Sequence, residues 1–88
     1  YTPTEGDLLR LVGIYVKIPD FSMTAEIYQK LIQLNPNNPQ YHASLATAYA
    51  QIGKINEAVA EAKKAAQIDP KGYEADARKF VASLGRQW

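Results

Sequence analysis

The sequence predicts an all-α protein, an α-solenoid of antiparallel helix hairpins with about five helices. The first observation behind this prediction is an internal repeat of 34 residues, which pairs Tyr15 with Tyr49 and Pro36 with Pro70. The second is that apolar residues recur at helical spacing in each half of the repeat, without the alternation typical of strands. A hairpin that cannot bury its apolar stripe alone must stack on its neighbour, and repeated stacking builds a solenoid.

The same offset sets the boundaries of the repeats. Further pairs of similar residues share it: Leu11 with Leu45, Phe21 with Ile55, Ser22 with Asn56, Leu34 with Ile68 and Asn35 with Asp69. We therefore predict a single domain over residues 1–88, with a first repeat at about 5–38, a second at 39–72 and an end helix at 73–88.

Helix start and stop signals predict the limits of the two helices in the second repeat. Pro39 suits the first position of a helix, because its missing N–H is not needed there. Gly53 is expected to end that helix in a left-handed cap, and Asn56 to cap the start of the next. Asp69 is expected to end the second helix, because a residue before proline avoids the helical region.

The first repeat and the tail follow the same scheme. The segment from Thr2 to Glu5 predicts a capping box, Pro19 is expected to break the first helix, and Ser22 to cap the second. The three tyrosines that lie in apolar stripes are expected in the core: Tyr15, Tyr28 and Tyr49. The tail predicts a fifth helix whose apolar face holds Tyr73, Ala77, Phe80, Val81 and Leu84.

These residues resemble the signature of the tetratricopeptide repeat in order and spacing. The second repeat matches it at Leu45, Ala46, Tyr49, Gly53, Ala58, Ala65 and Pro70, and the first at Leu11, Tyr15, Tyr28 and Pro36. The resemblance covers about residues 5–72 and implies a right-handed solenoid with a solvating end helix. The chain departs from the pattern at His42 and Ala62, where the family prefers aromatic residues, and at Pro19, where it prefers glycine.

Composition argues against an enzyme, a cofactor, a metal site or a nucleic-acid partner. The chain has no cysteine, one histidine and a net charge of +1, and its lysines and arginines alternate with acidic residues. His42 is interpreted as a packing residue, since Ser44 would point to another helix face. Glu57 and Glu61 form an i,i+4 pair that is expected to face solvent. No catalytic residue is predicted.

The resemblance implies a binding site on the concave face, which the first helix of each repeat lines. The residues predicted to form this groove are Leu9, Arg10, Gly13, Val16, Lys17, Gln40, Ala43, Ser44, Thr47, Ala50 and Gln51. Relatives that bind the acidic ends of heat-shock chaperones use a clamp of cationic and amide side chains. At those places this chain has Leu9, Gly13, Ser44, Glu74 and Arg78. A neutral, partly apolar groove is therefore expected.

Two functions from different classes remain open. The favoured one is a non-catalytic protein–protein interaction module or scaffold that binds a peptide or helix segment on the concave face. The alternative is a terminal assembly stub of a larger bacterial protein. Similarity to repeat pairs at the C-termini of such proteins suggests an attachment to a membrane protein of the O-antigen ligase kind. A cytoplasmic location is favoured, with the periplasmic side of a membrane protein as the alternative.

The first helix is apolar nearly all round, since eight of the eleven residues from Leu8 to Ile18 are apolar. The first helix of a solenoid has an uncovered side, so Leu9, Ile14 and Val16 are expected to pack on a second copy or an upstream segment. The chain begins at Tyr1 rather than Met and is expected to be a piece of a longer protein. The segment itself is not expected to insert into a membrane, because this apolar run is too short.

Overall fold

Five helices make up the computed structural model, which describes residues 4–17 and 20–88, with only the backbone of Val16. In chain order they are α1 (Glu5–Lys17), α2 (Phe21–Leu34), α3 (Pro39–Gln51), α4 (Ile55–Ile68) and α5 (Pro70–Ser83). The described residues contain no strand. Each helix packs mainly on the one before and the one after it, so the predicted all-α helical-repeat fold is confirmed.

The limits of the first four helices follow the 34-residue period. Helices α1 and α3 begin and end at residues 34 apart, and so do α2 and α4. Helix α5 breaks the period because it begins at Pro70, three residues before the predicted start at Tyr73, and it ends at Ser83 rather than Trp88. Asp69 alone connects α4 to α5, and its side chain accepts a hydrogen bond from the Gly72 N–H. The division into repeats at residues 38 and 72 stays a prediction.

Three of the expected caps differ in the structure. Thr4 and Asp7 form the capping box of α1, since each backbone N–H donates to the other's side chain at 3.1 and 3.2 Å. The predicted box began at Thr2, which lies outside the described residues. Asp20, not Ser22, caps α2 by accepting from the Met23 N–H. Ser22 is the second residue of the helix, because Phe21 is already helical.

The N-cap of α4, like that of α2, lies two residues before the predicted residue. Gly53 ends α3 with a positive φ of 83°, as predicted, which leaves only Lys54 before the first residue of α4. Lys54 is the N-cap residue and makes no side-chain cap bond. Asn56 therefore lies inside the first turn and does not cap the helix, so that prediction was wrong.

Side-chain size decreases through the core from the first repeat to the second. The cluster between α1, α2 and α3 contains Leu8, Val12, Ile27, Leu31 and Tyr41. A second cluster contains Ala25, Leu45 and Ala48, and the last, between α3, α4 and α5, contains Ala46, Ala62, Ala66, Ala77 and Val81. The predicted apolar face of α5 is confirmed, since Ala77 and Val81 are buried and its other three members half-buried.

Among the tyrosines that the structure describes, Tyr41 is the buried one, and no repeat position had indicated it. It is 5% exposed and packs its ring 6.2 Å from that of Tyr28. Tyr15, Tyr28 and Tyr49 are half-buried, so the expectation that they form the core was too strong. The Tyr49 hydroxyl extends far enough to accept a hydrogen bond from Gln29, an exposed residue.

Stability should decrease at high pH because of Tyr41. Burial, followed by its hydrogen bond to Glu5, raises the pKa of Tyr41 from 10.0 to about 12. An unfolded tyrosine ionises near pH 10, so the stabilisation is complete below pH 10 and is lost as pH rises to about 12. Urea unfolding between pH 9 and about 12 should show a steeper loss for the wild type than for Tyr41→Phe, which controls for the other tyrosines and lysines. Equal losses would contradict this assignment.

Helix α1 leaves apolar side chains exposed, as its sequence predicted. Leu9 and Ile14 are 43% and 52% exposed, and the Val16 side chain lies outside the described residues. Leu11 is 41% exposed, whereas Leu45, 34 residues later, is 3% exposed against α2. The difference arises because no described helix packs on α1 in the way that α2 packs on α3. No helix in the described part of the chain is long and apolar enough to cross a membrane.

Candidate functional site

Two adjoining cavities lie along α3. The α3–α5 cavity has a volume of about 240 Å³ and is lined by Ala43, Ala46, Thr47, Ala62, Ala65, Tyr73, Asp76, Ala77 and Phe80. The α2–α3 cavity, also about 240 Å³, is lined by Phe21, Thr24, Tyr28, Ser44, Thr47 and Ala48. Thr47 lines both cavities and forms the ridge between them. We call the two cavities together the Thr47 groove.

Alanines in the second repeat create the α3–α5 cavity. Its floor contains Ala46, Ala62 and Ala65, all of them buried. The residues 34 positions earlier are Val12, Tyr28 and Leu31, which are larger and pack against each other in the first repeat. The smaller side chains of the second repeat leave this space open.

The groove carries little charge. Asp76 is the one charged residue that lines either cavity, and it belongs to the α3–α5 cavity. The Thr47 hydroxyl donates to the Ala43 carbonyl at 3.2 Å, so its hydrogen is used within the helix. A ligand would therefore meet methyl groups, aromatic rings and a few hydroxyls, with one carboxylate at the α5 side.

Three of the predicted groove residues line these cavities: Ala43, Ser44 and Thr47. The others on α3 lie outside them, with Gln40 and Gln51 exposed and Ala50 half-buried. The described α1 candidates are exposed but line neither cavity: Leu9, Arg10, Gly13 and Lys17. The side chain of Val16 falls outside the described residues. Whether any of these residues binds a ligand stays a prediction.

Sequence reasoning missed the contributions of α2 and α5 to the groove. Phe21 and Tyr28 come from α2, and Tyr73, Asp76 and Phe80 from α5. One signal was present in the sequence, because the 34-residue offset pairs Tyr28 with Ala62 and so indicates missing volume in the second repeat. The α5 residues could not be placed by that offset, since α5 begins three residues early.

A buried contact between His42 and Glu61 joins α3 to α4. His42 and Glu61 are 5% and 7% exposed, and Nδ1 of His42 lies 2.8 Å from Oε1 of Glu61. The other ring nitrogen lies 2.8 Å from the Pro36 carbonyl oxygen, and Lys64 Nζ lies 3.0 Å from the second Glu61 oxygen. The expectation that Glu61 faces solvent was wrong, because its partner lies on a different helix. His42 fills a packing position, as interpreted.

Two of the charged residues on α5, Glu74 and Arg78, pair with each other away from the groove. The Arg78 Nε donates to Glu74 at 3.2 Å, and its guanidinium lies 4.8 Å from the centre of the Trp88 ring. Lys63 lies 5.9 Å from the same ring, beside a surface depression between α4 and α5. Arg78, the one cation at a predicted clamp position, is thus engaged by two other side chains. The described residues contain no group of three side chains able to hold a metal ion.

Residues 27–60, which include α3, match the family model of the tetratricopeptide repeat. The chain belongs to the tetratricopeptide-repeat family. Its relatives include the small glutamine-rich tetratricopeptide repeat-containing protein 2 of Mycosarcoma maydis, 46% identical over 52 residues, 59% of this chain and 15% of that protein. The segment of this chain that matches the family model contains the whole of α3, including Thr47.

Two plant relatives cover more of the tetratricopeptide chain. Protein SGT1 homolog of Oryza sativa subsp. japonica is 37% identical over 65 residues, 74% of this chain and 18% of that protein. Hsp70-Hsp90 organizing protein 2 of Arabidopsis thaliana is 30% identical over 77 residues, 83% of this chain and 14% of that protein. The chain thus spans less than a fifth of each of these relatives. These tetratricopeptide relatives support a protein–protein interaction module, a class that is generally non-enzymatic.

Proposed function

We propose that this chain binds a protein partner by accepting a largely uncharged peptide or helix segment in the Thr47 groove on the concave face. The observation that supports this most strongly is that two cavities of similar volume adjoin at Thr47. A groove with two neighbouring pockets accepts successive side chains of one segment, and the ridge between them accommodates the ligand backbone. Recognition then depends on shape and apolar contact rather than on charge.

The charge distribution supports a neutral ligand. From Leu31 to Gly53 the chain has no aspartate, glutamate, lysine or arginine, and Asp76 is the one charge in the groove lining. The name of one relative refers to organising Hsp70 and Hsp90, so heat-shock proteins are candidate partners. An acidic chain end would find no cation in the lining, and Asp76 would repel it. A chaperone partner would therefore have to present a neutral segment.

Replacing Thr47 with arginine should weaken the binding of such a segment at least tenfold while the fold stays intact. Thr47 is exposed at the ridge, and the long side chain of arginine would fill the space above both cavities. Peptides selected from a random display library against the wild type serve as ligands, and calorimetry measures their affinity. Small interfaces of this kind give micromolar dissociation constants, about −8 kcal/mol.

The matched control is Ala60→Arg, which adds the same charge at an exposed position of α4 that lines neither cavity. It should leave peptide affinity unchanged, and both variants should keep the circular dichroism spectrum of the wild type. If Thr47→Arg bound the peptides as tightly as the wild type does, the Thr47 groove would not be the binding site. Tight, strongly salt-dependent binding of acidic peptides would contradict the neutral ligand.

The second candidate function is assembly, with homodimerisation through Leu9, Ile14 and Val16. The exposure of Leu9 and Ile14 favours it, and a second copy is the proposed occupant of this face. Light scattering separates the two functions, because a stable dimer supports assembly and a monomer at high concentration removes it. The three relatives described above come from a fungus and two plants, so a link to bacterial membrane proteins gains no support from them.

A further inference from the structure

We propose that the α3–α5 cavity is a receptor for one tyrosine side chain of the bound segment. This inference rests on the proposed function and adds to it the chemistry of the side chain that anchors the ligand. The segment would place its phenol ring on the alanine floor of the cavity and direct the hydroxyl to Asp76.

The first repeat shows which side chain occupies the position equivalent to Ala62. In the first repeat the equivalent of Ala62 is Tyr28, whose half-buried ring packs against the clusters around Leu31 and Leu45. In the second repeat Ala62 is 4% exposed and lines the α3–α5 cavity, whereas Tyr28 lines the neighbouring α2–α3 cavity. Between the two repeats this position therefore differs by a phenol ring, together with smaller differences at its neighbours.

The size and the walls of the cavity suit an aromatic ring. Its volume of about 240 Å³ exceeds the ~150 Å³ of an apolar cavity that accepts benzene. Its floor consists of alanine methyl groups, and Tyr73 and Phe80 line it from α5. Aromatic neighbours favour an incoming ring in an offset or edge-to-face arrangement, beyond the gain from buried area.

Asp76 selects a ring that carries a hydrogen-bond donor. Its carboxylate lines the cavity, is exposed, and makes no hydrogen bond or ion pair within the described part of the chain. A tyrosine hydroxyl can donate to that carboxylate, whereas phenylalanine has no donor to offer it. A glutamate or aspartate of the ligand would be repelled. Tyrosine is therefore favoured over the other side chains that the apolar floor alone would accept.

The test uses p-cresol, which is the tyrosine side chain alone, so that no partner needs to be known. A nuclear magnetic resonance titration of the full chain should show saturable shifts of the methyl signals of Ala62, Ala65 and Ala77, with millimolar affinity. Toluene should bind several-fold more weakly. Asp76→Ala should remove the difference between the two probes while toluene binding stays the same. Shifts confined to the depression beside Trp88, or equal affinities in the wild type, would overturn the inference.

A second experiment fills the cavity with a larger side chain. Ala62→Tyr restores the side chain of the first repeat and should abolish p-cresol binding, with a rise in melting temperature of about 4–8 °C. Ala60→Tyr, exposed on the same helix, is the control and should change neither. Persistent p-cresol binding by Ala62→Tyr would refute the inference. If Ala62→Tyr does not fold, the Asp76→Ala comparison still decides.

Failure of this inference can be told apart from failure of the proposed function. Library peptides that bind the Thr47 groove but lack tyrosine, with affinity unaffected by Ala62→Tyr, would overturn the tyrosine receptor and leave the interaction module standing. Binding of p-cresol in the cavity, with no peptide selected from the library, would support the receptor chemistry and count against the peptide-binding function.

Discussion

Replacing Glu61 with alanine is expected to lower the free energy of unfolding by about 1–3 kcal/mol, because it leaves a buried polar group without its hydrogen-bond partner. Both ring nitrogens of His42 face acceptors, the Glu61 carboxylate and the Pro36 carbonyl, each at 2.8 Å. The two contacts occupy both nitrogens of the buried ring. Removing the carboxylate leaves Nδ1 of this ring without its hydrogen-bond partner, and it also releases Lys64. Urea unfolding followed by circular dichroism measures the loss.

Two controls separate the His42–Glu61 contact from general effects of the substitution. Glu57→Ala removes a carboxylate from an exposed position one turn earlier on α4 and should change stability by no more than about 0.5 kcal/mol. The double variant His42→Leu/Glu61→Ile copies Leu8 and Ile27, the buried residues at the same places in the first repeat. It should be at least as stable as the wild type, since well-packed apolar residues often replace a buried pair without loss. A Glu61→Ala loss below 1 kcal/mol would contradict this account.

The second large effect is expected at Leu45. Replacing it with alanine should lower the free energy of unfolding by about 3–4 kcal/mol, because it is 3% exposed and contacts Ala25 and Ala48 in a closed cluster. Leu11→Ala is the matched control from the equivalent place in the first repeat. Since Leu11 is 41% exposed, its loss should stay near 0.5 kcal/mol. Similar losses at the two sites would mean that α1 is covered in solution.

The regular part of the fold could be predicted because it depends on local signals. The offset that pairs Tyr15 with Tyr49 also separates the helix limits, and Gly53 ends α3 where its conformational freedom is needed. The caps were harder to predict. Ser22 and Asn56 each lie two residues after the true cap, since a side chain of the right type recurs near a helix start without marking its first residue.

Features that depend on contacts between distant residues could not be predicted. Glu61 looked solvent-facing from its spacing to Glu57, yet His42, 19 residues earlier, brings it into the interior. Tyr41 is buried because α1 supplies Glu5 as a partner for its hydroxyl. In the groove, Ala43, Ser44 and Thr47 were among the residues that the resemblance implied, whereas Ala46 and Ala48 were not. The α5 residues were not predicted either, because the single-residue connection at Asp69 changes the repeat register.

The order of helix contacts has a consequence for how the chain folds. Every extensive contact between described helices joins two that follow each other in the sequence, so no distant loop must close before the chain gains stabilising contacts. Such a low contact order predicts folding in microseconds to milliseconds. A hairpin formed anywhere can extend to its neighbour. Because the contact between α3 and α4 is the most extensive among the described helices and that between α1 and α2 the least, we expect α1 to detach first, with the fastest amide hydrogen exchange of the five helices.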